Sequence, residues 1–285
     1  MSNINLNEVE KILERAEKLK SPMVNLSHHN LTVLPSTVCK LDSLKTLLLN
    51  DNRIIMPPAE LLALTNLQEL SLDHNQLTLL PSGFGQLKNL RTLSLSHNSL
   101  GFLPSEFGKL KHLTELWIVN VQLMSLPPEI CSLENLQKLG AGENAITSLP
   151  ENFSNLKSLQ WLSLVKNQIS QLPDDFHKLG NLVYLDLSYN KLDNIQGCFS
   201  KMKTLSCLNL QNNEIQLGSE EGLKKGFTNL HRLDLRFTQV REVPAHLPHF
   251  DVIVTGTGTD INKENLNCEG NGVRRVHRQR KTKKF

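Results

Sequence analysis

One sequence unit recurs every 23 positions along most of this chain. One copy runs from Leu67 to Asn89, with leucine at its first, fourth and sixth places, asparagine at its ninth, and a Leu-Pro pair at its fourteenth and fifteenth. The units begin at residues 21, 44, 67, 90, 113, 136, 159, 182, 205 and 230, so only the ninth is longer, by two places. A fixed period of this length predicts a solenoid, in which each unit packs on its neighbours along the chain.

Each unit divides into a strand and a short helical segment. In the first half, inward leucines at the fourth and sixth places alternate with outward third, fifth and seventh places, as in a strand that buries one face. The second half opens on proline, which suits the first helical turn because no backbone donor is lost there. We therefore predict an α/β fold of about ten right-handed turns, with parallel strands on a concave face and short helical or 3₁₀ segments on a convex face.

The second half of the unit resembles a known class of repeat. The phrase Leu-Pro-x-x-φ-x-x-Leu-x-x-Leu, where φ is apolar, is similar to that of the intracellular leucine-rich-repeat proteins, which include Scribble, Erbin, the Ras-suppressor proteins and the plant Ras-group-related proteins. The resemblance covers roughly residues 21 to 250. It implies a protein-binding scaffold without catalytic residues, in keeping with a role in intracellular signalling. The phrase opens at Leu34-Pro35, Leu80-Pro81, Leu103-Pro104, Leu126-Pro127, Leu149-Pro150 and Leu172-Pro173.

We expect a helical cap over residues 1–20, a repeat domain over residues 21–254 and a tail over residues 255–285. The cap is predicted as an amphipathic helix that starts at Asn5 and covers the open apolar end of the first repeat. Its acidic residues would be repelled by an anionic membrane, so the alternative of a membrane-lying helix is disfavoured. Its apolar stripe consists of Val9, Ile12, Leu13, Ala16 and Leu19.

The carboxyl-terminal part of the chain departs from the repeat pattern. The segment Gly218–Gly226 replaces the usual phrase of the ninth repeat and is interpreted as a tolerated surface insertion or a second docking feature. Residues near Val252 and Ile253 can add one last strand over the core. From about residue 256 the composition becomes polar and glycine-rich, which predicts disorder.

The formal charge of +3 conceals a basic tail on an acidic repeat domain. The last twelve residues carry seven basic and no acidic side chains, so the other 273 residues sum to −4. Such a run indicates an import signal or contact with acidic surfaces. It also raises an alternative function, a nucleic-acid or anionic-membrane binder whose affinity would fall with salt. The basic residues are Arg274, Arg275, Arg278, Arg280, Lys281, Lys283 and Lys284.

The sequence predicts a cytoplasmic protein, with the nucleus as a second location. Five cysteines are an odd number and do not cluster at the ends of the repeats, which indicates reduced thiols. The first residues lack the apolar region of a signal peptide, and no apolar run reaches the roughly 18 residues needed to span a bilayer. We expect a monomer that is neither secreted nor transmembrane.

A search for catalytic motifs gives only one arrangement to weigh. The eighth places of the first four repeats hold His28, Asp51, His74 and His97, which are metal-ligand types. A flat column does not converge on one tetrahedral point, so these are interpreted as solvated rim residues. Phosphate-binding loops, nucleophile elbows and paired-cysteine zinc spacings are missing from the sequence. We therefore expect no enzyme activity, metal, cofactor or small-molecule substrate.

The aromatic residues indicate a candidate binding surface on the concave face. The chain has two tryptophans and two tyrosines, and all four fall at outward or rim places of the repeats, namely Trp117, Trp161, Tyr184 and Tyr189. Exposed aromatics with a polar surround are typical of the energetic centre of an interface. The alternative is that the rings merely pack on one another and on their strand neighbours.

We predict that this surface includes a notch. Gly140 and Gly142 lie between the two tryptophan repeats, and strand spacing would separate Trp117 from Trp161 by roughly 10 Å. A side chain from a partner protein could then be buried between the two indoles. The same zone contains Val119, Val165 and Asp186, and its polar rim contains Lys138, Glu143, Lys166 and Lys191.

The ninth place predicts a ladder of asparagines that bond backbone groups of adjacent turns. It holds another residue only in the first, fifth and last repeats, as His29, Val121 and Thr238. Terminal repeats are commonly atypical. Val121 is internal, and we expect it to leave a gap in the ladder and an irregular turn beside Trp117.

Overall fold

The computed structural model describes residues 6–194, 197–216, 229–240 and 251–253. Within them, eleven strands form one parallel sheet whose spatial order is their order in the chain. The predicted leucine-rich-repeat solenoid is therefore confirmed. The strands are β1 (Met23–Asn25), β2 (Thr46–Leu48), β3 (Glu69–Ser71), β4 (Thr92–Ser94), β5 (Glu115–Trp117), β6 (Lys138–Gly140), β7 (Trp161–Ser163), β8 (Tyr184–Asp186), β9 (Cys207–Asn209), β10 (Arg232–Asp234) and β11 (Asp251–Ile253).

The pairing register follows the sequence period. Leu47 lies opposite Leu70, and Leu70 lies opposite Leu93, so each residue faces its equivalent in the next unit. The lengthened unit keeps the register, since Leu208 lies opposite Leu233. The predicted last strand is confirmed, with Val252 opposite Leu233. Equivalent places of successive repeats therefore form straight columns across the sheet.

Short 3₁₀ helices lie on the other side of the core. Four of them begin directly after the predicted proline, as at Pro35 and Pro104, whose φ angles of −58° and −67° already suit a helix. At Pro81 the helix begins three residues later, at Phe84. Their bounds are Ser36–Lys40, Ala59–Ala63, Phe84–Gln86, Ser105–Lys109, Pro128–Ser132, Glu151–Asn155, Phe176–Lys178 and Phe199–Lys201.

The core lies between the sheet and these helices. Leucines at the fourth and sixth places, such as Leu70 and Leu72, are fully buried from the sheet side. Phenylalanines at the eighteenth place enter from the helix side and stack between repeats, with the ring centroids of Phe84 and Phe107 5.8 Å apart. Each buried side chain of this size stabilises the fold by roughly 1.5–3 kcal/mol. Since every column continues into the next repeat, the core is continuous.

One α-helix, α1 (Leu6–Lys18), packs on the first repeat. Val9, Leu13 and Ala16 are buried, and Ile12 packs partly buried against the same core. Leu19 is 67% exposed because it lies beyond the end of the helix, so its assignment to the apolar stripe was wrong. The helix thus buries one face against the start of the repeat core.

The asparagine ladder is present, and its gap lies at Val121. Asn75 is typical: its Nδ2 donates to the carbonyls of Leu49 and Leu72, and its Oδ1 accepts from the amide of Ile54. Val121 cannot accept from the equivalent amide in the preceding repeat. The turn changes as predicted, because Gln122 adopts a left-handed φ of 65° that the tenth place of the asparagine-bearing repeats does not show.

The last repeat closes the ladder with a different side chain. The Thr238 hydroxyl donates to the Leu235 carbonyl and accepts from the Val240 amide. The terminal exception therefore replaces part of what asparagine does elsewhere.

Several predicted segments lie outside the described residues. These are Asn5, the insertion Gly218–Gly226 and the basic tail, including its seven charged residues. In the part of the chain that is described, no helix has the length and apolarity required to cross a membrane.

Candidate functional site

Three aromatic side chains form one stack on the exposed face of the sheet. Trp117 ends β5, Trp161 begins β7 and Tyr184 begins β8. The ring centroids of Trp117 and Trp161 are 5.2 Å apart with an interplanar angle of 54°, and those of Trp161 and Tyr184 are 5.4 Å apart and nearly parallel. All three residues are half-buried. We call Trp117, Trp161 and Tyr184 the aromatic stack.

The predicted notch between the two indoles does not exist. A Cβ on Gly140 would lie 2.5 Å from Cε3 of Trp117, and one on Gly142 would lie 2.6 Å from Cγ1 of Val165. Both glycines are buried. An indole is longer than the strand spacing, so Trp117 leans along the sheet over Gly140 and reaches Trp161. The predicted separation of roughly 10 Å was wrong, because it applied to the backbone and ignored where the rings would go.

The stack contains an unsatisfied donor. The indole N–H of Trp161 is buried and has no hydrogen-bond partner among the described residues. Leaving a buried polar group unpaired costs about 1–3 kcal/mol. The packing of the rings on one another therefore stabilises this arrangement against a local polar penalty.

Charged side chains surround the stack in pairs. Lys138 lies 3.0 Å from Glu115, and Lys166 lies 2.7 Å from Glu143. The hydrogen bond to Glu143 raises the pKa of Lys166. Two of the predicted rim lysines are thus matched by a carboxylate in the neighbouring repeat.

Asp186 lies at the far side of the stack, in a polar cluster. Its carboxylate accepts from the Ser188 amide at 2.9 Å, the Ser188 hydroxyl at 2.6 Å and the Tyr184 hydroxyl at 3.4 Å. Burial raises the pKa of Asp186, and these hydrogen bonds partly oppose that shift. Asp186 therefore orients Tyr184 as well as contributing charge.

The remaining predicted residues spread along the rim. Val119 and Val165 are half-buried at seventh places, and Val165 covers Gly142. Tyr189 is 46% exposed on a left-handed turn, with φ of 56°. Tyr189 carries no ring contact that would place it in the aromatic stack. The structure thus joins three of the four predicted aromatics and leaves the fourth on the rim.

Sequence reasoning missed two features of the same face. Phe237, at the eighth place of the tenth repeat, is 57% exposed, two repeats beyond Tyr189. Its place in the repeat, equivalent to that of Tyr189, is the sequence signal that predicts its exposure. Beside it, Arg236 forms a buried ion pair with Asp234, with Nη2 2.6 Å from Oδ2, and this raises the pKa of Arg236.

Comparison with protein families decides the classification. A model described as a leucine-rich repeat region matches residues 82–166 and 129–247, and a second leucine-rich-repeat model matches residues 66–87. The chain belongs to the leucine-rich-repeat family. Among curated protein sequences, none matches it.

Many solved structures share this leucine-rich-repeat fold. An internalin from Listeria monocytogenes is 23% identical, with a TM-score of 0.73, and the match covers 85% of this chain and 70% of the internalin. A leucine-rich-repeat protein of Leptospira interrogans is 27% identical, with a TM-score of 0.60 and coverage of 85% and 81%. A plant peptide hormone receptor in complex with RGF2 is 29% identical, with a TM-score of 0.63 and coverage of 78% and 41%.

The match to TLR13, whose structure is a complex with ssRNA13, has the same identity, 29%, a TM-score of 0.66 and coverage of 78% and 34%. The leucine-rich-repeat fold is typically a non-enzymatic binding domain, and these solved structures share that fold.

In this leucine-rich-repeat chain, the four residues at the eighth places of the first four repeats lie side by side in a row. They are His28, Asp51, His74 and His97. His28 Nε2 lies 3.5 Å from Asp51, and the rings of His74 and His97 stack with centroids 4.3 Å apart. All four residues occupy left-handed turns, with φ between 53° and 62°. Among the described residues, no group of three or more potential ligands converges on a metal position.

Two of the cysteines are poor nucleophiles at neutral pH. Burial raises the pKa of Cys131 and of Cys198 to about 11, so both thiols are protonated. Cys39 is a free thiol.

Proposed function

We propose that this chain is a non-enzymatic scaffold that binds another protein on the exposed face of its sheet, across repeats five to eight. The observation that carries the proposal is the aromatic stack. Three large rings lie side by side, half-buried and held from below by the sheet. Rigid aromatic surfaces lose little conformational entropy on binding and dominate interface energetics.

The charge around the stack favours a protein over a nucleic acid. Within repeats five to eight the face carries Glu115, Glu143 and Asp186 against Lys138, Lys166 and Lys191. A surface that binds phosphates needs an excess of unpaired cations, because the affinity comes from released counterions. Here the charges balance, and two of the lysines are paired. Balanced polar groups around apolar rings are the anatomy of a protein interface.

Because the Trp117 ring covers Gly140 and leaves no notch, the chemistry expected of the partner changes. A continuous aromatic surface suits contact with a flat or extended group, such as an aliphatic side chain, another ring or an arginine guanidinium laid on an indole. It does not suit a side chain inserted between the tryptophans, unless the Trp117 ring first moves away from Gly140. Among the relatives, the plant receptor is in complex with RGF2 and TLR13 with ssRNA13. Leucine-rich-repeat structures thus bind both a peptide hormone and an RNA, and the balanced charges on this face favour a protein ligand over a nucleic acid.

We also propose that the scaffold works inside the cell, in signalling. The free thiols of Cys39 and Cys131 are in keeping with a reducing compartment. The resemblance of the repeat phrase to the Scribble and Ras-suppressor class supports the same location. Fractionation of cells that express the tagged chain tests it, and recovery of the chain in the medium would contradict it.

The binding proposal is tested with alanine variants of the stack. The intact chain captures its partner from cell extract, and the purified partner is then titrated against Trp117→Ala, Trp161→Ala and the control Asn50→Ala from the second repeat. Each tryptophan variant should lose at least 30-fold in affinity, about 2 kcal/mol, while Asn50→Ala should stay close to the intact chain. Circular dichroism checks that the variants fold.

Two outcomes would overturn the assignment. Unchanged affinity in both folded tryptophan variants would remove the aromatic stack from the interface. Loss of binding on removal of residues 274–285, with a steep dependence on salt, would instead favour the nucleic-acid or anionic-membrane alternative.

A further inference from the structure

A row of exposed apolar side chains follows one flank of the first five repeats. Val33 is 63% exposed, Met56 53%, Leu79 47% and Phe102 57%. All four occupy the thirteenth place of their repeats. Met124, at the twelfth place of the fifth repeat, is 72% exposed and continues the row. We call these five residues the lateral stripe.

The lateral stripe is separate from the aromatic stack. The thirteenth place lies between the end of a strand and the 3₁₀ helix that follows, on the segment that crosses the side of the solenoid. Because equivalent places of successive strands pair with one another, the four thirteenth places are neighbours, about 4.8 Å apart. From Val33 to Phe102 the row therefore extends over roughly 14 Å.

The fold itself does not require apolar residues at this place. Ser125, Ser148, Gln171 and Asn194 occupy it in repeats five to eight, and all four are exposed. The core beneath these repeats is as fully buried as it is beneath the first four. Within the first eight repeats, apolar residues at the thirteenth place are thus confined to the first four. Since the repeats with a polar residue at this place bury their core equally well, the apolar residues are not needed for folding.

The size of the stripe is that of an interaction surface. Five side chains that each expose about half or more of their surface present on the order of 500 Å² of apolar area, comparable to the largest apolar patch of a typical soluble monomer, and such patches are often functional. A stable interface buries about 800 Å² on each partner, of which the centre is apolar and the margin polar. The stripe supplies such a centre, and the polar places on either side supply a margin.

We propose that the lateral stripe binds the same stripe of a second copy of this chain, antiparallel, about a two-fold axis between Met56 and Leu79. This arrangement places the smallest side chain, Val33, against the largest, Phe102. It pairs Met56 with Leu79, which are similar in volume. Side-chain sizes are then complementary along the row, as a closed two-fold contact requires.

The charges beside the stripe fit the same register. On the strand side, Arg53 of the second repeat falls opposite Gln76 of the other copy's third repeat. On the helix side, Glu60 falls opposite Gly83 of the other copy, and Glu106 falls opposite Thr37. No like charges meet among these equivalent places. Glu10 lines a pocket with Val33 and Thr37, so it would lie near Glu106 of the other copy, and this pair alone opposes association among the charges considered.

The antiparallel dimer leaves the aromatic stack free. Its centre lies between the second and third repeats, so repeats five to eight of the two copies extend beyond the contact at opposite ends. A dimer would then offer two separate partner sites. The proposed dimer departs from the monomer that the sequence predicted.

Sedimentation equilibrium of the full chain tests the proposal. The weight-average mass of the intact chain should rise from 32.2 kDa toward twice that value as concentration increases through the micromolar range expected of a modest interface. Phe102→Ser should weaken association at least 10-fold, and Leu79→Ser should do the same. Gln171→Ser, the matched change at the thirteenth place of the seventh repeat, should associate like the intact chain. A chain that stays monomeric throughout, or serine variants that associate like the intact chain, would overturn it.

Single cysteine variants test the direction of the contact. Met56→Cys lies beside the proposed axis and should give a disulfide-linked dimer under mild oxidation, above the background of the native cysteines. Val33→Cys lies far from the axis and should not. Linkage of both variants would indicate a parallel contact and would contradict the antiparallel arrangement. Binding of the captured partner by Phe102→Ser distinguishes failure of this inference from failure of the aromatic site.

Discussion

At the scale of single residues, Gly140 shows how a missing side chain shapes the aromatic stack. The strand place it occupies points outward, where a larger residue would stand beside Trp117. Without a Cβ, the indole instead lies flat across β6 and meets Trp161. The glycine does not leave a hole for a partner; it sets the orientation of the ring that the partner would contact.

Replacement of Gly140 by alanine should displace the Trp117 ring. The added Cβ would lie 2.5 Å from Cε3, which forces the indole to move and should destabilise the fold by about 1–3 kcal/mol. Since both tryptophans of the chain belong to the aromatic stack, tryptophan fluorescence should change with it. Gly180→Ala is the control, because its nearest neighbour is 3.9 Å away. Identical emission spectra and identical urea midpoints for the two variants would show that the position of the Trp117 ring does not depend on the missing Cβ of Gly140.

At the scale of elements, the turn after most of the strands contains one asparagine that is largely buried. Asn75 bonds backbone groups of two adjacent repeats, so it joins the turns as well as shaping its own. A second ladder, unforeseen from the sequence, lies at the twenty-third place, where Asn66 donates to the Asp42 carbonyl and Asn89 to the Thr65 carbonyl. These residues are exposed, and water can replace their hydrogen bonds.

The two ladders should differ in their effect on stability. Asn75→Ala leaves the buried Ile54 amide without its side-chain partner, and it removes one of the two asparagine donors to the Leu49 carbonyl, where Asn52 remains. One buried group left unpaired should destabilise the chain by about 1–3 kcal/mol. Asn66→Ala should lower the free energy of unfolding by less than about 1 kcal/mol, because solvent reaches the groups it frees. Urea denaturation compares the two variants. Equal losses would mean that burial does not set the value of the ladder.

Most of these elements could be predicted because the pattern repeats. A place that recurs in every unit reports its environment many times, so Leu70, Asn75 and Phe84 could each be assigned to a face. The exceptions could be assigned as departures, as the left-handed turn at Gln122 shows. Side-chain direction could not. The sequence places Trp117 and Gly140 in adjacent strands, but whether the indole stands up or lies down depends on rotamer and packing, which no period encodes.

At the scale of the whole molecule, α1 and the aromatic stack lie at different positions along one dimension. In a solenoid, stability is a sum of local and nearest-neighbour terms, so damage at one end need not spread at once. Leu13 is buried against the first repeat, and the tryptophans lie in the fifth and seventh. Fluorescence of the two tryptophans therefore reports on the middle repeats, and we expect it to respond little to local unfolding of α1 and the first repeat.

Leu13→Ala should therefore separate two unfolding signals. Loss of a buried leucine side chain destabilises its surroundings by about 2–5 kcal/mol, so circular dichroism should show an earlier onset of unfolding. The tryptophan fluorescence midpoint should move much less. Leu19→Ala, at a side chain that is 67% exposed, should change neither signal. A single coincident shift of both signals in Leu13→Ala would show that the whole array unfolds as one unit.

The pairing of β9 with β10 has a consequence for the history of such a chain. Cys207 and Arg232 stay in register although the unit that connects them is longer than the others. Each strand pairs with the equivalent residues of the strand in the next unit. A recombination that removed residues 67–89, one whole unit, would therefore place β2 beside β4 in the same register. An array of this kind can gain or lose whole units without disturbing the pairing of the units that remain. The length of the sheet then changes in discrete steps, independently of the outward side chains that each unit carries.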